Sequence, residues 1–277
     1  MYAATVFVFA DEILKIINVE DDEQALMSHA EVITFAILTA KFFHGNFKMS
    51  RYMCKRIRMF PSILSNSRLN RRIHSIPWTC WHAIFRLLTL VFLQSDQPQS
   101  FAVDSLPVPC CQKNRIDKRK IFQKSQYLGF AASKKRYFCG IKIHMLVTDS
   151  GKPMEIQFEP GAISDVNVLW KMELDVPEDA IIYADGAYNS FDLEDLLKEQ
   201  RIQLLAKRGS RAKQRLRTVS KEKEISSRRQ IIETAFSCIT SLLPRYIKAR
   251  TERGFMIKVM CAVLAYSVSF LCKNPLS

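Results

Sequence analysis

Three carboxylates sit where the local sequence would bury or fix them. Asp104 follows the strand-like run Phe101-Ala102-Val103 and leads into Ser105-Leu106-Pro107, so its side chain is expected at a strand terminus, where α/β proteins gather functional groups. Asp185 repeats the arrangement after Ile181-Ile182-Tyr183-Ala184, entering the turn Gly186-Ala187-Tyr188-Asn189. Glu233 borders the apolar stripe Ile232, Phe236 and Ile239 of a helical pattern, one turn after Arg229. Carboxylates from two strand ends and a later helix suit two Mg2+ or Mn2+ ions, which take hard oxygen ligands and clamp both oxygens of a phosphodiester displacement. Each acid also has a plainer reading: a strand-end Asp can be a turn-former, and Glu233 can be half of a surface pair with Arg229.

Other polar residues could support such a site. Lys142 and His144 lie two apart in a strand, hence on one face, although a strand histidine is commonly structural. Asp165 follows Pro160-Gly161-Ala162-Ile163-Ser164 and precedes a helical run, which makes it a helix N-cap or a support for the metal site. Cations are concentrated in two runs, Lys113 to Arg136, including Lys134 and Lys135, and Arg201 to Lys223. The second includes Lys207, Arg208, Arg211, Lys213, Arg215 and Arg217. It is too polar and unperiodic for a core element and reads as a loop that holds phosphates on a polyanion, or as a solvated loop.

The elements that must position these residues change in texture near residue 97. Upstream, helix-period apolar spacing runs over Val6 to Val19, Ser28 to Phe43 and Trp78 to Leu93, and Ser28-His29-Ala30-Glu31 is a capping box. Basic side chains from Arg51 to Arg72, with Arg68, Arg71 and Arg72 at the end, would read a DNA groove from a helix. After the connector Ser95-Asp96-Gln97-Pro98-Gln99, strands alternate with helices, which is mixed α/β order. The expected division is a helical domain over 1–98 and a catalytic domain over 99–277 with a basic insertion at about 207–224.

Composition narrows the partner. Of 277 residues, 41 are Lys or Arg against 27 Asp or Glu, giving +14, a self-repulsion that points to nucleic acid. Eight scattered cysteines form no CxxC and read as reduced core thiols. The apolar run Val259 to Cys272 is short for a bilayer and the N-terminus has no secretory pattern, so a cytoplasmic protein without a membrane partner is expected.

Taken in order, the stretches Leu64–His74, Val103–Pro109, Gly129–Phe138, Lys142–His144, Pro160–Asp165, Ala184–Asn189 and Arg229–Ser237 resemble DDE transposases, and more narrowly the bacterial insertion-sequence 982 family. The resemblance implies a ribonuclease H-like catalytic domain behind the helical one. It implies that Asp104, Asp185 and Glu233 bind two Mg2+ or Mn2+ ions, and that double-stranded DNA, as terminal inverted repeats and target, is the substrate. It also implies a homodimer on DNA, a nucleoid-associated location and no nucleotide cofactor. The chain departs from the wider pattern at Ser226 and Thr240, where Tyr and Lys are common, and at Gly186, where a basic residue is frequent; Arg229 fits. A ribonuclease H-like nuclease, or a remnant that only binds DNA, are the alternatives.

Overall fold

A computed structural model describes residues 1–131, 135–208 and 214–272. Their contacts cluster into two compact units, one of residues 1–91 with 238–277 and one of residues 92–237. The helical unit therefore takes in C-terminal residues that the division at residue 98 assigned to the catalytic domain.

In the helical unit, α1 (Tyr2–Ile16), α2 (His29–Phe43), α3 (Phe47–Arg56), α4 (Asn66–Ser75) and the first part of α5 (Trp78–Asp96) precede the β-rich unit in sequence. The capping box forms at α2: Glu31 N–H donates to Ser28 Oγ at 3.1 Å, and Ser28 N–H donates to Glu31 Oε2 at 2.8 Å. From Ala30 to Ala40 only Glu31 escapes burial, because α1, α3, α4 and α9 (Glu252–Cys272) all pack on this helix. At 21 residues α9 is longer than the apolar run predicted and is long and apolar enough to cross a bilayer, yet 61% of its most apolar window is buried inside the protein. It is a core helix, with Phe255, Ile257, Met260 and Leu264 at most 1% exposed.

The second unit is built on one mixed sheet. It contains β1 (Ser100–Pro109), β2 (Leu128–Ala131), β3 (Arg136–Thr148), β4 (Pro153–Pro160), β5 (Ile181–Ala184) and β6 (Gln203–Ala206). β3 runs antiparallel to β1, β2 and β4, while β5 pairs parallel to β1 and to β6. The helices here are α6 (Asp165–Leu169), α7 (Phe191–Glu199) and most of α8 (Val219–Leu242). This is the mixed α/β arrangement expected.

Two expectations are corrected. β1 does not end at Asp104 but runs to Pro109, since its antiparallel register with β3 continues to Pro109↔Gly140. Pro107 and Pro109 are tolerated because parallel pairing with β5 stops at Val103, leaving that edge of β1 free of a ladder. The predicted basic loop is also shorter, because α8 begins at Val219. All eight cysteines are free thiols, as expected, but only Cys54, Cys80, Cys139 and Cys261 are buried in the core and Cys238 is exposed.

Candidate active site

Asp104 and Asp185 are brought together by the parallel register of β1 and β5. Val103 pairs with Ala184, so the next residue on each strand projects to the same side of the sheet. α8 covers that side, with Ile225 packed on Tyr183 and Leu205. From α8, Arg229 Nη2 reaches Asp104 Oδ2 at 2.6 Å and Asp185 Oδ2 at 3.6 Å.

The other oxygen of each carboxylate is occupied by the backbone. Ser105 N–H donates to Asp104 Oδ1 at 2.8 Å, and Ala187 N–H donates to Asp185 Oδ1 as Asp185 caps the short turn Gly186–Tyr188. Both Oδ1 atoms are thereby fixed, and both Oδ2 atoms converge on one cationic nitrogen. Burial pushes the Asp104 carboxyl above its usual range against the opposing pull of the Arg229 guanidinium.

Glu233 is exposed and lies one helical turn beyond Arg229, on the same stripe of α8. Among the described residues no group of three or more His, Cys, Asp and Glu side chains is arranged to hold a metal ion. The structure thus joins Asp104 to Asp185 through Arg229 and places Glu233 one turn further along the same helix, without closing the triad.

Asp165, Lys142 and His144 form a second cluster on the opposite face of β1. Asp165 Oδ1 accepts from Lys142 Nζ at 2.7 Å, and its Oδ2 accepts from Ser105 Oγ at 3.0 Å. Lys142 Nζ also donates to the Ile163 carbonyl at 2.9 Å. Asp165 is therefore not the N-cap; Ser164 holds that position and Asp165 is spent on the sheet. His144 is fully buried, with Nδ1 3.1 Å from Tyr188 Oη and Nε2 making no hydrogen bond. Burial lowers its pKa to about 4, with Asp165 opposing and Lys142 adding to the shift. Tyr188 is pushed well above its usual range by burial, and then by Asp165, Asp104 and Asp185. Ser105 and Tyr188 were not singled out from the sequence; their only signal was adjacency to the two aspartates.

Several candidate phosphate-binding cations are committed elsewhere. Arg208, with 3% of its side chain exposed, pairs with Glu194 at 2.7 Å, hydrogen-bonds Asn189 and stacks on Phe191, so it is a structural cation and not a surface contact. Arg215 pairs with Asp195 at 2.7 Å and lies over the same ring. Arg217 donates to the Ala206 carbonyl and faces Glu194 and Glu222. Arg72 donates to the Met27 carbonyl and pairs with Asp21. By contrast Arg68, Arg71, Lys135 and Lys207 are exposed. Lys134, Arg211 and Lys213 lie outside the described residues.

The family described as Transposase DDE domain matches residues 95–244, a span that holds Asp104, Asp185 and Glu233. The chain belongs to that family. No curated protein sequence matches the transposase. Among solved structures it is similar to the piggyBac transposase synaptic complex with hairpin DNA, with a TM-score of 0.51 at 10% identity over 98% of this chain and 74% of that one, a likeness of fold. The Mos1 mariner paired end complex with Mn, 11% identical over 86% of this chain and 88% of that one, has a TM-score of 0.24, too low to inform the fold of the transposase.

Proposed function

We propose that the protein is a transposase of the insertion-sequence 982 type that cuts DNA at the terminal inverted repeats of a mobile element and joins the freed 3′ hydroxyl to target DNA. The observation that carries this reading is the convergence of Asp104 Oδ2 and Asp185 Oδ2 on one cationic atom. Two carboxylates, each fixed through Oδ1 by a backbone N–H and with Oδ2 aimed at a shared point, have the hard-donor chemistry that Mg2+ or Mn2+ takes, and Glu233 lies one turn along α8 from Arg229. The donor chemistry of these carboxylates fits such a site, although their arrangement does not close it. In this reading Asp104, Asp185 and Glu233 hold two divalent ions, which when bound stabilise the charge building on the attacking and leaving oxygens at phosphorus.

The chain's own groups then have distinct tasks. Ser105 and Ala187 N–H fix the aspartate rotamers, which removes reorganisation from the chemical step. Arg229 serves as counter-ion to the aspartates and moves its charge onto a DNA phosphate. Arg68, Arg71, Lys135 and Lys207, with Lys134, Arg211 and Lys213, supply phosphate contacts along the duplex. The acting species is a homodimer on DNA in the bacterial cytoplasm, associated with the nucleoid.

The test uses a labelled duplex carrying the inverted repeat found beside the reading frame, with Mg2+, Mn2+ or a chelator. Cleavage at the repeat boundary and joining to a second duplex are expected with either metal and absent with the chelator. Cleavage without joining would leave a nuclease, and binding without either would leave a DNA-binding remnant.

A further inference from the structure

The hairpin of β2 and β3 carries two aromatic rings that the described residues leave at least half open to solvent. Phe130 and Tyr137 are 50% and 64% exposed, pair directly across the ladder, and meet edge-on with ring centroids 5.1 Å apart. Lys135 and Arg136, beside Tyr137, are exposed as well. A soluble domain gains nothing from two large rings in water, whereas a polyanion-binding one gains a stacking surface with its counter-charges alongside.

The base of the hairpin is rigid. A Cβ at Gly129 would meet the Gly161 carbonyl oxygen at 2.2 Å, so the two backbones touch, and buried Phe138 lies against both glycines. Ala162 N–H donates to the Gln126 carbonyl at 2.9 Å and ties the start of the hairpin to the same loop. The rings therefore project from a fixed support, which lowers the entropy lost on engaging a ligand.

We propose that Phe130 and Tyr137 form a stacking platform for an unpaired DNA base, with Lys135 and Arg136 on its flanking phosphates. The proposal rests on the reading of this protein as one that acts on DNA. An aromatic face serves any base but is wasted on a closed duplex, whose bases already stack on each other, so the ligand is a base that has left its pair. Tyr137 lies eight residues along β3 from Met145, the ladder partner of Asp104, roughly 26 Å at strand rise. That distance is within about one turn of duplex, roughly 34 Å, from the proposed cleavage point.

Binding of the full chain to three DNAs tests this: a closed duplex, the same duplex with one bulged 2-aminopurine, and an oligothymidine. The wild type should prefer the bulged duplex and quench its 2-aminopurine. The double variant Phe130→Ala, Tyr137→Ala should lose roughly tenfold in affinity for the bulged and single-stranded DNAs while closed-duplex affinity and its salt slope stay unchanged. Tyr137→Trp should keep the preference and have its indole fluorescence quenched by the oligothymidine, a readout that does not depend on the double variant folding. Equal wild-type affinity for closed and bulged duplex, or equal loss on all three DNAs, overturns the platform while the transposase reading stands if metal-dependent cleavage persists. Loss of self-association with DNA affinities unchanged overturns it in favour of a contact between copies. Failure of the wild type to bind any DNA would sink both readings.

Discussion

Arg229 Nη2 stands 2.6 Å from Asp104 Oδ2 although 125 residues separate the two in sequence, and the same nitrogen lies 3.6 Å from Asp185 Oδ2. A guanidinium in that position does electrostatically what a bound divalent ion would do: it offsets the mutual repulsion of two neighbouring carboxylates. Replacing Arg229 with Gln should cost about 1.5–3 kcal/mol of stability in chelator, the usual range for a hydrogen bond to a charged group. Mg2+ should then stabilise the variant more than the wild type, because the ion no longer competes with a resident cation. Urea titrations with and without Mg2+ measure both; equal Mg2+ shifts in the two proteins would count against competition.

Asp104→Asn or Asp185→Asn should abolish Mg2+-dependent cleavage and leave DNA affinity equal or higher. Removing negative charge beside a phosphate cannot weaken the electrostatic attraction. Band-shift titrations run beside cleavage assays decide it, and parallel loss of both would point to misfolding.

The pair of Lys142 and Asp165 is largely buried, each side chain 13% exposed. Asp165→Leu alone strands the Lys142 charge and Lys142→Met alone strands the Asp165 charge, each costing about 3–5 kcal/mol, whereas the double change Lys142→Met, Asp165→Leu should recover most of that loss, since both desolvation costs vanish together. Chemical denaturation of the single and double variants forms the cycle.

His144 gives stability a pH dependence of known sign. Its folded pKa, lowered to about 4, lies below the unfolded value near 6.5, so as pH falls through this window the unfolded chain takes up a proton that the folded one refuses. Stability should drop between pH 6.5 and pH 4, by up to about 3 kcal/mol at about 1.4 kcal/mol per unit. Asp165 opposes this shift, Lys142 reinforces it, and Tyr188 faces the ring. The difference in unfolding free energy between wild type and His144→Gln, followed from pH 7.5 to 4.5, should show this slope; a flat difference would mean that the ring takes up its proton at the same pH in the folded and unfolded chains.

Lys207 and Arg208 are sequence neighbours with opposite fates. Lys207→Gln should leave folding intact and lower the log–log salt slope of duplex binding by about 0.9. Arg208→Gln should cost about 1.5–3 kcal/mol of stability by removing the nearest cation from the buried Glu194, which keeps Arg215 at 3.5 Å and Arg217 at 3.7 Å, with the salt slope unchanged in the folded fraction. Salt-dependent binding and urea unfolding of both variants separate the two roles.

What the sequence determined by itself was local. The Ser28 capping box, the strand Ile181–Ala184 ending at Asp185 and the alternation of strands and helices after residue 97 rest on hydrogen bonds and periodicities spanning a few residues. The order of motifs along the chain was likewise enough to resemble DDE transposases. Tertiary structure decided where β1 stops, because its last residues are held by a ladder with β3 and not by their own propensity. It decided that Arg208 and Arg217 turn inward and that Arg215 is held at the surface by Asp195, because Glu194, Asp195 and Glu222 come from α7 and α8 and no local pattern marks them as partners. It turned Asp165 from a cap into a partner of Lys142 and Ser105, and left Glu233 exposed one turn beyond Arg229. For the arginines and for Asp165 an ion pair forms between residues that the fold brings within about 4 Å, the distance at which Coulomb attraction selects one arrangement among many.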